Sequence, residues 1–471
     1  MSSRASYQLV VVCSVLAWAT LSTAQESSQQ KQNRQFQSAV AQYNAGQYAA
    51  AAAQLEILVP HVPHSFEAQE LLGMVYAAMS EDAKAIEPLD AAVHAEPTSA
   101  AARTNLGASL SRLARTELAE EQFRKALALA PRDYDANHDL GELYIQQGRI
   151  ADALPLLAEA QRIHPTAYDN GYDLAMADLL TGQLAPARET IQSLLQLKDT
   201  GELHNLLGQV EEKDRQFVAA VNQFETAAHM DPTEDNLFDW GSELLLHRTY
   251  EPAIDVFRAA SQRYPRSPRL LIGLGMSLYA RGLYEDAIKA LLAAADLDPS
   301  DARCYLFLSK AYQSSPSQAD EVIQRFQRYA ELEPHNALAQ YYYAMSLWKG
   351  KQTDGSAPNT QEVESRLKLS ISLNDAMPDA HLQLGNLYAD ERKFAESIPE
   401  YIRALSLNPD LPNAHYRLGT DYVHMGQKDK AQAEFTVYQK LRAQHLADVD
   451  KERAEVQQFI YSSKSEASPK P

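Results

Sequence analysis

The chain has 471 residues, with 62 Asp and Glu against 43 Lys and Arg, a formal charge of −19. That excess of acid would repel a phosphate backbone and argues against nucleic acid as a partner. Two cysteines are too few for a disulfide framework or a cysteine-ligated zinc site.

Residues 1–24 read as a secretory signal peptide. Arg4 is their only charge, Leu9 to Leu21 is an apolar run of 13 residues, and Ser22, Thr23 and Ala24 are small residues before a cleavage point. The alternative, an uncleaved anchor, calls for about 20 apolar residues. Cys13 follows Val12 inside the run, which does not look like a lipoprotein cleavage box. Cleavage leaves 42 basic against 62 acidic residues, a formal charge of −20, and Cys304 as the one thiol, expected to be buried in a helix. No later segment is apolar enough to span a membrane. The chain has no Asn-x-Ser/Thr sequon, which favours a bacterial periplasmic location over a eukaryotic secretory one. Residues 25–34, QESSQQKQNR, have no apolar face and read as a polar linker.

From there the chain repeats itself. Small residues recur at Ala39, Gly73, Gly107, Gly141, Ala175, Gly208, Gly241, Gly275, Ser309, Ala344, Gly385 and Gly419, at spacings of 33 to 35 with one of 41. Eight of the chain's 18 glycines fall in this phase. A second small phase lies twelve residues on, at Ala51, Ala85, Ala119, Ala153, Ala187, Ala220, Ala253, Ala287 and Ala431. A third holds Pro63, Pro97, Pro131, Pro165, Pro232, Pro265, Pro299, Pro334 and Pro409, residues that cannot continue a helix. Within one period, Leu140, Gly141 and Tyr144 share one helical face, and Ala153, Leu157 and Ala160 share another. The unit is two amphipathic helices around a turn at Gly148. Neither buries its stripe alone, so each needs its neighbours.

This 34-residue pattern of Leu-Gly-x-x-Tyr, then Ala, an aromatic or Leu, Ala and Pro resembles the tetratricopeptide repeat, over residues 35–442. The resemblance implies an all-α fold, an α-solenoid of about twelve helical pairs wound as a right-handed superhelix. The tenth repeat departs from the pattern. Its spacing of 41 places a long turn at 351–361, Ser370 stands where Ala is expected, and Asp375 stands in the proline phase. With Ser314 to Ser317 of repeat nine, this predicts the weak joints of the array. Residues 443–462 continue an amphipathic pattern and predict a capping helix, and 463–471 predict a disordered tail.

No catalytic motif is present: there is no glycine-rich phosphate loop, HExxH or GxSxG. His61 and His64 have no third ligand beside them and read as turn residues. The expectation is a chain without cofactor or metal that is not an enzyme.

By the resemblance, the first helix of each repeat lines a concave groove that holds peptides or partner helices. Two sets of groove positions stand out. Two residues before the small phase lie Asn105, Asp139, Asp173, Asp239 and Gln383, interrupted at Leu206, Gly273, Phe307 and Tyr342. This resembles the asparagine ladder that grips peptide backbone in the O-linked N-acetylglucosamine transferase repeats; hydrogen bonding within the stack is the alternative. The apolar set is Tyr172 and Met176, Phe238, Leu245 and Leu246, Ile272, Met276 and Tyr279, and Tyr341, Met345 and Trp348. Met and aromatic residues facing solvent would mark a binding face; burial by the winding of the array is the alternative. The positions that carry lysine in a carboxylate clamp hold Glu70, Thr104, His138, Tyr172 and Asn205 instead. The expected function is an exported scaffold, periplasmic or secreted, holding a protein or peptide partner in an envelope complex. Alternatives are a periplasmic scaffold for polysaccharide export, and an accessory subunit of an enzyme or a cryptic enzyme.

Overall fold

The computed structural model describes residues 28–349 and 359–444. The expected signal peptide, most of the long turn at 351–361, nearly all of the capping helix and the tail lie outside the described residues. Among the described residues every regular element is helical. Contacts divide the chain into two units, one ending at Asp199 and one beginning at Thr200.

The first unit holds five helical pairs: Ser28–Asn44 with Tyr48–Leu58, Phe66–Ala78 with Asp82–Ala95, Ala100–Arg112 with Thr116–Leu129, Tyr134–Gln146 with Ile150–Ile163, and Tyr168–Thr181 with Leu184–Leu197. The second holds seven: Gly201–Lys213 with Phe217–Met230, Glu234–Leu246 with Tyr250–Arg263, Pro268–Arg281 with Tyr284–Leu297, Ala302–Ser314 with Ala319–Leu332, Ala337–Lys349 with Thr360–Leu373, Pro378–Asp390 with Phe394–Leu407, and Pro412–His424 with residues 428–444. Each unit is thus a tandem α-solenoid. The first helix begins at Ser28, inside the segment read as linker. Gln29, Gln30, Lys31, Gln32 and Arg34 are good helix formers, and a helix already nucleated by packing at Ala39 extends through them at little cost.

Local chemistry marks many of the helix ends. First helices are capped by Ser65, Ser99, Asp133, Thr200, Thr233, Ser267 and Asp301, whose side-chain oxygens accept a backbone N–H of the first turn. Second helices end where the next residue is proline. Glu96, Ala130, His164 and Asn408 all leave the helical region there, with φ between −124° and −141°. Between the two helices of a pair the backbone passes through the left-handed region, at Gly46, Gly148, Gly182, Gly282 and Gly426. The same turn position holds Ser80, Ala114, Arg215, Arg248 and Arg392, also at positive φ. Side chains there are strained by roughly 1 kcal/mol or more, so the packing of the pair imposes the turn on them.

That packing centres on the small phase. A Cβ added at Gly141 would lie 2.7 Å from Leu157 Cδ2 on the second helix of the same pair. At Gly107, Gly208 and Gly385 it would meet the rings of Phe123, Phe224 and Tyr401 at 2.7 to 2.8 Å. Where the phase holds Ala39, Ala175, Ser309 or Ala344, the residue is buried as well. Ser370 of repeat ten, read as a weak substitute for Ala, is buried and donates its hydroxyl to the Ala337 carbonyl at 2.8 Å. Cys304 is buried, as expected of a helix thiol, and burial pushes it up to about 12, far from a reactive thiolate.

Gly141→Leu should therefore overpack the Leu157 contact and destabilise the chain by ~1–3 kcal/mol. Denaturant melts of the two proteins check this; unchanged stability would refute the contact.

Candidate functional site

In the unit ending at Asp199, the first helices of repeats three, four and five carry Asn105, Asp139, Tyr172 and Asp173 at half-buried positions. Asn105 Nδ2 lies 3.5 Å from Glu70 Oε1 on the preceding first helix. Glu70 is nearly buried, and loss of solvent, with Glu96 and Glu67 adding repulsion against the Asn105 hydrogen bond, pushes its carboxyl up to about 7. Desolvation also raises Asp139; Asp135 and Glu142 add to the effect, while His138 and Arg112 oppose it. His138 Nδ1 is 3.2 Å from Asn170 Oδ1 on the next first helix, and the Tyr134 ring stacks on the imidazole with centroids 5.7 Å apart. This face is acidic, and solvent is partly stripped from it.

In the unit beginning at Thr200, Asp239 is also raised by desolvation and accepts from Asn205 Nδ2 at 2.8 Å. Asn205 donates to Asn236 Oδ1 as well, at 3.1 Å. For Asn105 and Asp239, then, the polar ladder is spent on neighbouring repeats, the alternative left open by the sequence. Phe238 is half-buried between the Phe257 ring at 6.0 Å and the Arg269 guanidinium at 5.1 Å.

The apolar set needs correction. Ile272, Tyr341 and Met345 were expected to face solvent, but they are 4%, 8% and 2% exposed. They belong to one cluster with Tyr305, Phe326, Tyr342 and Leu384. The neighbouring helices close on these side chains: the Tyr342 ring lies 5.8 Å from Tyr341 beside it on the same helix and 5.9 Å from Phe326 on the second helix of the preceding pair. They contribute to folding. Met276, Tyr279 and Trp348 do remain half-buried, at the edge of that cluster. Phe307, which the sequence counted only as a break in the ladder, joins them, with its ring 6.3 Å from Tyr279. Lys310 Nζ sits 5.4 Å from the Phe307 ring and Lys349 Nζ 4.9 Å from Trp348. The result is a strip of partly exposed apolar surface with ammonium groups over it.

A further polar position went unseen in the sequence. Four residues before the small phase, a side chain reaches back six residues to the carbonyl in the proline phase. Gln69 reaches Pro63 at 3.0 Å, Arg103 Pro97 at 2.8 Å, Asn137 Pro131 at 3.1 Å, Tyr305 Pro299 at 3.0 Å and His415 Pro409 at 3.0 Å. That carbonyl lies beyond the helix end and has no helical N–H to accept. His381 and His415 extend the link to Glu400 and Glu434 on their second helices, at 2.6 and 2.5 Å.

Helix–turn–helix units in tandem, each offering one face of its first helix, define a repeat scaffold of the α-solenoid class. The chain belongs to the tetratricopeptide repeat family. Models described as tetratricopeptide repeat match residues 36–100, 104–168 and 238–302, and 145–210, and one described as TPR repeat matches 385–426. Comparison with curated proteins gives no match. Among solved structures, the chain is similar to that of the APC/C hetero-tetramer Cut9–Hcn1, at 15% identity over 88% of this chain and 87% of that one, with a TM-score of 0.35. It is similar to the structure of YrrB, described as a TPR protein with an unusual peptide-binding site, at 19% identity over 39% and 96%, TM-score 0.33. A third is PilF of Pseudomonas aeruginosa, at 22% identity over 44% and 94%, TM-score 0.37. These likenesses concern the fold.

The Glu70 carboxyl gives a pH signature. Its folded value, about 7, lies above the ordinary 4.5, so between these values the folded chain binds the proton more tightly than the unfolded one. The stabilisation is present at low pH and is lost as pH rises through about 7. Glu70→Gln should be more stable than the wild type by about 1–3 kcal/mol at pH 8, with the gap closing towards pH 4.5. Chemical melts at the two pH values test this; a gap that does not change with pH would contradict it.

Proposed function

We propose that the chain is a non-catalytic scaffold that holds a protein or peptide partner on the first-helix face of the unit beginning at Thr200, and that it works in the cell envelope or the secreted space. Tetratricopeptide repeat scaffolds bind peptides or proteins in complexes, and the strip on this unit suits that work. The observation that carries the reading is the row of Met276, Tyr279, Phe307 and Trp348, half-buried at the edge of a packed cluster. Rings already held by the core lose little conformational freedom on binding and still have area to desolvate. Lys310 and Lys349 beside two of these rings favour a segment that pairs apolar anchors with carboxylates. Export rests on the apolar run and small residues of 1–24.

Trp348→Ala tests this reading. The ring is half-buried, so its loss should cost roughly 1–2 kcal/mol of stability, below the 3–5 of a fully buried aromatic. Capture of a protein partner from envelope extract should be abolished at a temperature where the variant is still folded. Capture at the wild-type level by the folded variant would remove the strip from the binding face.

A further inference from the structure

We infer that repeat four holds a site for one divalent transition-metal ion of the zinc class, with His138, Asp139 and Glu142 as its ligands. One ligand atom from each of the three residues can be chosen so that all lie within 4.8 Å of one another. His138 and Glu142 are four apart on the helix Tyr134–Gln146 and share its face, and Asp139 adjoins them.

The tautomer of His138 is set from outside the cluster. Pro165 has no N–H, and its carbonyl accepts from Gln161 Nε2 at 2.9 Å, which turns Gln161 Oε1 towards Asn170. Asn170 is fully buried; its Nδ2 donates to that oxygen at 2.8 Å and to the Leu157 carbonyl at 2.9 Å. Its Oδ1 is then left for His138, 3.2 Å away, and can only accept. The imidazole proton therefore sits on Nδ1, and the Nε2 lone pair is available to a metal. A ligating histidine is commonly fixed in this way, through its other nitrogen, by an acceptor outside the site.

On the carboxylate side, negative charge is in excess. Asp135, Asp139 and Glu142 follow at spacings of four and three residues on the helix Tyr134–Gln146. Arg112, the nearby cation, has its guanidinium on Asp82 at 2.6 and 2.8 Å. Glu142 Oε1 accepts from Gln146 Nε2 at 3.1 Å and keeps a second oxygen. One imidazole nitrogen and two carboxylates suit Zn²⁺ better than the hard Mg²⁺. Three protein ligands leave a position open to water or to a partner's carboxylate. Asp139 is then an ion ligand, a role separate from gripping peptide backbone.

The test uses the full mature chain without a histidine tag, stripped with chelator. Zinc chloride is titrated in competition with a chromophoric chelator, and magnesium chloride is the contrast. One Zn²⁺ per chain is expected, displaced little by Mg²⁺, with affinity at least about tenfold weaker in His138→Gln and in Glu142→Gln. Glu142 is exposed, so its variant keeps the fold and carries the test even if His138→Gln is destabilised. His94→Gln, at an exposed histidine beside Asp90, should bind as the wild type does. Absence of stoichiometric binding, binding unaffected by Glu142→Gln, or equal weakening by His94→Gln would overturn the site.

Discussion

Two helices of a pair can come close only where one backbone leaves room for the other's largest side chain. In this protein that room is made by the small residue of each first helix. Gly141 receives Leu157, and Gly107, Gly208 and Gly385 receive aromatic rings, at distances a Cβ would violate. The close approach buries Leu140, Tyr144, Ala153 and Ala160 around the contact. It also brings the chain back so sharply that the turn crosses the left-handed region even at Arg215, Arg248 and Arg392. The caps, the proline-phase ends and the turns all serve this one geometry. Repetition does the rest, since stacking neighbours bury what a single pair leaves exposed.

Much of this was legible in the sequence because the packing demands size, and size is visible at one position per period. Gly, Ala and Ser announce a close contact, and proline announces a helix end. The link to the proline-phase carbonyl was not legible, since Gln69, Arg103, Asn137, Tyr305 and His415 share a geometric task and no chemical type. Any side chain long enough to bring a donor to that carbonyl will do. The left-handed turn was legible only where glycine marks it.

The first-helix face was read less well, for a reason of scale. Helical spacing tells which residues share a face but does not tell how near the next helix lies. Tyr341 and Met345 share a face with Trp348, yet the first two are closed over by the cluster that takes in Tyr342 and Leu384, and the third stays at its edge. The acidic positions show the same effect electrically. The sequence places Glu70, Asp139 and Asp239 on the first-helix face but does not tell how far solvent is excluded there, and their carboxyls are all raised by loss of solvent. Such groups gain from a proton, a cation or a donor brought by a partner, and this is how a fold held together by size acquires chemistry on its face.

The repeat depends on the small residue and the large side chain opposite it acting as one unit. A double-mutant cycle at Gly107 and Phe123 measures this directly, since a Cβ at Gly107 would lie 2.7 Å from the Phe123 ring. Gly107→Leu and Phe123→Ala should each destabilise the chain. In the double variant the leucine occupies the space the ring has left, so the total loss should fall short of the sum by at least about 1 kcal/mol. Losses that add to within ~0.5 kcal/mol would show the two positions to be independent, and the contact would not be what sets the repeat.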